Sequence, residues 1–409
     1  MSVVSVFSSA FCREDEFIEK LVDGTGYERL NDETIVKRAE GLSSLPADTL
    51  RRAFSAKPSV FNPFTRERER SITWLKLALA EYLLETGFIL HGFAAHLVPG
   101  SIRHVLRICL IADTAYRIEA ASSQLGLSET EAAERIEEED RRRATWVRQI
   151  NGSPDPWNPG LYDMVLPTNK IDLREALDLV KRSLAAEDLQ SSPLSRKAAR
   201  DFLAAAQIEA HLAGEGHVVE VTLNDDEAVL TIDRPVVMQE RLEEELKAAV
   251  RALKKVAKIE VRAKPAAAQS ETYRRYDSHL PSKVLLVDDE REFVQTLSER
   301  LEMRDIGSAA AFDGESALAL VSEDEPEVML LDLRMPGIDG MDVLKRVKAE
   351  HPDIEVVILT GHGTDVDRKE CMALGAFAYL EKPVDIDVLS ETLKRANEKM
   401  RKNAKRKKP

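Results

Sequence analysis

Three aspartates, a threonine and a lysine in the last third of this 409-residue chain are of the types and at the spacing that could do chemistry together. Asp288-Asp289 follow the apolar run Val284-Leu-Leu-Val287, and Asp332 follows Val328-Met-Leu-Leu331. Thr360 follows Val356-Val-Ile-Leu359, and Lys382 stands just beyond Ala378-Tyr-Leu380. Clustered carboxylate oxygens suit a hard cation such as Mg2+. A carboxylate held beside such a cation can act as a nucleophile toward phosphorus. The chemistry this suggests is phosphoryl transfer onto an aspartate.

The elements that must position these residues are strands. Short continuous apolar runs separated by helical patterns are expected to form a parallel sheet buried on both faces. In open sheets of that kind the ligand site lies beyond the carboxyl ends of the strands, so the three carboxylates, the hydroxyl and the ammonium converge at one edge. Taken singly, each signal has an ordinary reading. An Asp-Asp pair after a strand is a helix N-cap, and Asp-x-x-Met-Pro-Gly is a turn. Their joint occurrence, each at a strand end, is what ordinary readings do not account for.

Residues 282–400 resemble the receiver domain of bacterial two-component response regulators, over about 120 of the 409 residues. Leu331-Asp-Leu-Arg-Met-Pro-Gly-Ile-Asp-Gly340 matches the loop around the family's phosphorylated aspartate. Leu359-Thr-Gly-His-Gly363 matches the switch threonine, and Gly375-Ala-Phe-Ala-Tyr-Leu-Glu-Lys-Pro383 runs from the switch aromatic to the active-site lysine. The resemblance implies a flavodoxin-like (βα)5 fold with Asp332 as phosphoacceptor. It implies a Mg2+ site made by Asp289 directly, Asp288 through water, Asp332 and the backbone carbonyl of Arg334. Lys382 and Thr360 would bind phosphoryl oxygens, Tyr379 would be the switch aromatic, and Lys382-Pro383 would be cis. A sensor histidine kinase or phosphotransfer protein would be the phosphodonor.

The formal net charge of −14 argues against nucleic-acid binding by the chain overall, although Lys394 to Lys408 is strongly basic. That run is expected to be part of the last helix and then a frayed tail over 401–409, serving solubility or contact with an anionic partner. Cys12, Cys109 and Cys371 have no metal or redox spacing and are expected to be reduced thiols in the cytoplasm. No stretch approaches the ~18 apolar residues of a membrane span. Val3–Phe11 lacks a basic leader and is expected to be a strand, not a signal peptide.

Residues 1–185 alternate strand-like and helical stretches, an α/β pattern. Expected strands are Val3–Phe7, Gly87–His91 and Ile102–Ala112, with helices over Arg13–Leu21, Ile72–Glu85 and Ser128–Arg148. Ser128, with Thr130 and Glu131 behind it, looks like a helix N-cap. This region resembles the cytidylate-kinase-like branch of the nucleoside monophosphate kinases, a P-loop-kinase-like α/β fold. The matching residues are Val105-Leu-Arg-Ile-Cys-Leu-Ile-Ala112, Arg117, Gly126-Leu-Ser-Glu-Thr-Glu-Ala-Ala133, Asp140-Arg-Arg-Arg-Ala-Thr-Trp-Val-Arg148 and Leu161-Tyr-Asp-Met-Val-Leu-Pro-Thr168. One departure stands out. Where the family has a glycine-rich phosphate loop, this chain has Phe7-Ser-Ser-Ala-Phe-Cys-Arg-Glu-Asp-Glu16, with no glycine before Gly24 and no Walker lysine. Backbone N–H groups cannot close around phosphate there, and Glu14, Asp15 and Glu16 would repel it. Lid arginines Arg141, Arg143 and Arg148 would be what remains of a nucleotide site.

Residues 194–264 are expected to form a small α+β domain with strands Val218–Leu223, Ala228–Ile232 and Lys258–Arg262, a turn at Asp225-Asp226 and a helix over Gln239–Lys255. The order resembles the BON-like fold. Residues 265–281 are expected to be an exposed linker. The whole is taken as a response regulator whose kinase-like module lacks kinase activity and acts on a downstream protein partner, with no direct DNA contact and no membrane. The alternative is an active nucleoside monophosphate kinase regulated by receiver phosphorylation; a third reading makes the module a dimerisation scaffold, and the protein a homodimer.

Overall fold

A computed structural model describes residues 2–224, 227–232, 239–253, 256, 258–263, 281–361 and 363–407. The expected turn at Asp225-Asp226 and all but the last residue of the linker expected at 265–281 lie outside the described residues. The chain divides into two compact units, one of residues 1–58 and 68–273, the other of residues 59–67 and 274–409. Among the described residues, no helix is long and apolar enough to cross a membrane.

The first unit opens with β1 (Val3–Ser8), α1 (Glu14–Thr25), β2 (Glu28–Asn31), α2 (Asp32–Leu42) and α3 (Ala47–Arg52). The short helix α4 (Asn62–Thr65) belongs to the second unit, and α5 (Glu67–Tyr82) follows it. Then come β3 (Phe88–His91), a 3-10 turn (Phe93–Leu97), β4 (Val105–Ile111), α6 (Thr114–Leu125), α7 (Glu129–Asn151), β5 (Met164–Pro167) and α8 (Leu173–Leu184). The five strands are parallel in the order β2-β3-β1-β4-β5. β1 and β3 are buried along their whole length, as continuous apolar strands between helical layers must be. Ser128 caps α7 as expected, in a reciprocal capping box with Glu131. The helix expected over Ile72–Glu85 runs from Glu67 to Tyr82; its first turn, Glu-Arg-Glu-Arg, carries no apolar periodicity and so left no signal in the sequence. The strand expected from Ile102 begins at Val105.

The small α+β part has α9 (Pro193–Gly214), β6 (Glu220–Asn224), β7 (Glu227–Ile232), α10 (Gln239–Ala252) and β8 (Lys258–Ala263). β7 pairs antiparallel with β6 and parallel with β8. Helix α9 has two apolar faces. Ala205, Ile208 and Leu212 pack on the small sheet, while Ala206 and Ala210 pack with Leu77 and Ala80 of α5. That shared helix is why residues 194–264 fall in one compact unit with the larger sheet.

The second unit is a (βα)5 sheet of the flavodoxin-like kind. Its elements are β9 (Val284–Val287), α11 (Arg291–Glu302), β10 (Ser308–Ala311), α12 (Gly314–Glu323), β11 (Val328–Leu331), α13 (Gly340–Glu350), β12 (Glu355–Thr360), α14 (Asp365–Ala373), β13 (Ala378–Glu381) and α15 (Ile386–Lys407). All strands are parallel, in the order β10-β9-β11-β12-β13. Two apolar clusters lie on the two faces of this sheet, one built on Leu285, Val287, Met329 and Ile358, the other on Val284, Leu286, Leu330 and Val357. Alternate residues of one strand feed opposite faces. Most of the basic run expected as a tail is helix, since α15 reaches Lys407.

Candidate functional site

Each residue singled out for phosphoryl chemistry sits at a carboxyl strand end of the second unit. Asp288 and Asp289 follow β9, Asp332 follows β11, Thr360 is the last residue of β12, and Lys382 is one residue past β13. Asp288, Asp332 and Thr360 are buried, whereas Asp289 is exposed. One carboxylate oxygen from each of the three aspartates lies within 4.8 Å of the other two. An all-oxygen set of this size suits a hard, octahedral cation that keeps several waters, so the residues present fit Mg2+.

The Lys382 ammonium closes the site. Its Nζ donates to Asp288 Oδ2 at 2.6 Å and Glu290 Oε1 at 3.3 Å, and stands 3.6 Å from Asp332 Oδ2. It also lies 4.3 Å above the centre of the Phe293 ring. Burial pushes the Asp288 carboxyl above its ordinary range, against the pull of Lys382 and of the Glu290 N–H; the nearby Asp332 charge adds to the rise. Burial works to lower the Lys382 pKa, but the Asp288 and Asp332 carboxylates outweigh it and hold the ammonium above its usual value. Asp332 Oδ1 accepts the Leu333 N–H at 2.7 Å, which fixes the carboxylate at the mouth of the sheet. The Lys382–Pro383 peptide is cis, as expected.

Arg334 lies two residues past Asp332, and its guanidinium turns away toward Asp367 at 3.8 Å. Tyr379, the switch aromatic that the resemblance implies, lies inward, its ring in the core cluster and its hydroxyl buried with no hydrogen-bond partner. Gly363 makes room for it, since a Cβ there would stand 1.6 Å from the Tyr379 hydroxyl and 2.9 Å from Thr360 Cγ2. Sequence reasoning missed Glu290, Phe293 and Gly363. Of these only Gly363 lies within a segment quoted from the sequence, Leu359–Gly363, three residues past Thr360.

The first unit has an open cavity of about 280 Å³ at the carboxyl ends of β1, β2 and β3, lined by Phe7, Ser8, Glu14, Asp32, His91, Phe93 and Arg143 among others. Glu14, at the start of α1, accepts from Ser8 Oγ at 2.5 Å and from His91 Nδ1 at 3.2 Å. The other His91 nitrogen accepts from Arg29 Nε at 2.9 Å, which assigns the ring proton to Nδ1. Burial acts to raise the Glu14 pKa, but His91 and Ser8 outweigh it and keep the carboxyl below its ordinary value. Asp32 accepts the Phe93 and Ala94 N–H groups at 2.9 and 2.7 Å, and burial pushes its carboxyl up to about 6. In the β1–α1 loop, Phe11 and Arg13 take left-handed backbone conformations at φ 61° and 63°. These are geometries that glycine adopts without cost.

The three lid arginines do not converge. Arg141 is exposed and pairs with Glu137 one turn back, and Arg148 is exposed. Only Arg143 reaches the cavity, donating to the Ser8 carbonyl at 2.8 Å and to Glu139 at 2.6 Å. At 100° per residue, positions 141 and 148 share a side of α7 and position 143 faces away from both. Arg117, a residue matched in sequence without a role, is a buried cation held bidentate by Asp140 at 2.6 and 2.9 Å.

Comparison with known proteins follows the same division. Residues 284–394 match the family model for the response regulator receiver domain, and residues 13–170 match that of the cytidylate kinase-like family. The chain is 43% identical over 102 residues to the transcriptional regulatory protein CpxR of Klebsiella pneumoniae, covering 25% of this chain and 43% of that protein. It thus spans less than half the length of that relative. It is 34% identical over 113 residues to sporulation initiation phosphotransferase F of Bacillus subtilis, which covers 28% of this chain and 91% of that protein. A solved response regulator receiver domain from Clostridium thermocellum is similar at 33% identity over 29% of this chain and 96% of that one, with a TM-score of 0.28.

Proposed function

The chain belongs to the response regulators, and from that membership we propose that it works in the cytoplasm and takes a phosphoryl group on Asp332 from a sensor histidine kinase or phosphotransfer protein. The observation that carries this is the single ammonium of Lys382 set between the Asp288 and Asp332 carboxylates at the carboxyl edge of a parallel sheet. Asp288, Asp289, Asp332 and the Arg334 carbonyl are the groups that would hold Mg2+, which when bound offsets charge on the phosphoryl oxygens. An Asp332 carboxylate oxygen forms the new bond to phosphorus as the bond to the donor's leaving group breaks. Lys382 then neutralises one phosphoryl oxygen and the Thr360 hydroxyl donates to another. Asp332→Asn keeps the shape and removes the nucleophile. Purified protein given a small phosphodonor and Mg2+ is expected to gain acid-labile phosphate, and the variant none; label persisting in the variant would sink the assignment.

The cytidylate kinase-like half acts in this reading as a signalling module without kinase activity, reaching a protein partner and not DNA. What supports this is Glu14. Its carboxylate, tied to Ser8 and His91, occupies the start of α1, where a phosphate-binding loop would offer N–H groups to an anion. No transfer from ATP to CMP, dCMP or UMP is expected, with the receiver phosphorylated or not. Turnover that disappears on Arg143→Ala would overturn this and make the chain a regulated nucleotide kinase.

A further inference from the structure

The second unit contains nine residues from far upstream, 59–67. Phe61 is fully buried in the same apolar cluster as Leu285, Ala317 and Val321, and the Lys283 ammonium lies 5.9 Å from its ring centre. That ammonium is held between Glu67 at 2.6 Å and Asp324 at 3.0 Å, and Asp324 also accepts a hydrogen bond from the Ser59 hydroxyl. All three charged groups are at least four-fifths buried, in the range where an ion pair left half-made is costly. Phe64 passes so close to Gly307 that a Cβ on the glycine would lie 2.3 Å from the Phe64 Cβ and Cγ. Lys283 and Gly307 each precede a strand and Asp324 follows α12, so these contacts lie at the amino edge of the sheet, opposite Asp332.

We infer that the receiver has a peptide socket at this amino edge and that residues 59–67 are its ligand, carried in cis. An aromatic anchor in a desolvated pocket beside a paired charge is the pattern of a binding hot spot. Gly307 is required on the receiver side for Phe64 to approach. The socket adds a non-covalent link to the covalent one, because the polypeptide passes between the two units at 58/59, 67/68 and 273/274.

The test uses the full chain with a sequence-specific protease site inserted within 265–280, folded first and then cut to completion on a denaturing gel. The two pieces are expected to co-elute in gel filtration, and Phe61→Asp or Gly307→Val to release the downstream piece. Amide protection of β12 in the released piece distinguishes release from unfolding. Glu67→Lys, which sets an ammonium against that of Lys283, is expected to weaken co-elution. Pieces that separate in the parent protein, or variants that co-elute as the parent does, would overturn the inference.

Discussion

Tyr379 and Gly363 form a matched pair: the glycine leaves the volume that the tyrosine hydroxyl fills, and the hydroxyl finds no partner there. A buried hydroxyl left unpaired costs about 1–3 kcal/mol. Tyr379→Phe is therefore expected to stabilise the receiver, by about 1 kcal/mol, instead of weakening it, with amide exchange in β12 and β13 as the measurement. Slower exchange supports the assignment, and faster exchange would mean that the hydroxyl has a partner. The inward ring also alters what Thr360 can do. Movement of that hydroxyl toward a phosphoryl oxygen is expected to hold Tyr379 in the inward pose, a shift of population and not a new fold.

At the scale of elements, helix α13 is seated by its first residue. A Cβ on Gly340 would stand 2.0 Å from the Asp332 carbonyl oxygen, so the loop bearing Asp332 closes only over a glycine. Gly340→Ala is expected to cost about 1–3 kcal/mol and to slow phosphorylation of Asp332. Gly361→Ala, where the nearest atom would be Lys382 Cβ at 3.8 Å, should change stability by less than about 0.5 kcal/mol. Comparing denaturation and phosphate uptake in the two variants checks both. The strands that end in the candidate site residues were legible because Val284–Val287, Val328–Leu331 and Val356–Leu359 are unbroken apolar runs. β10, Ser-Ala-Ala-Ala, was not, since small residues carry no strand signature. β2 was missed because two of its four residues are exposed and charged. The lid arginines were taken from the resemblance, and helical geometry alone separates Arg143 from Arg141 and Arg148. Phe61 was illegible for a different reason: nothing local marks a residue whose neighbours lie more than two hundred positions away.

At the scale of the molecule, an acidic chain carries the proposed phosphoacceptor Asp332 and its cytidylate kinase-like sheet in different compact units. Phosphorylation is expected to change amide exchange across residues 360–395, the stretch from Thr360 through β13 into α15; identical patterns with and without phosphate would remove the switch reading. The socket at the amino edge has a consequence in time. Phe61 leaves the ribosome more than two hundred residues before Lys283 and Gly307. At about 5–20 residues per second this is an interval of roughly 10–40 s. Throughout that interval the aromatic segment has no receiver to bury it, so it must wait exposed or be shielded by a chaperone. Synthesis order thus makes completion of the receiver depend on a segment made more than two hundred residues earlier.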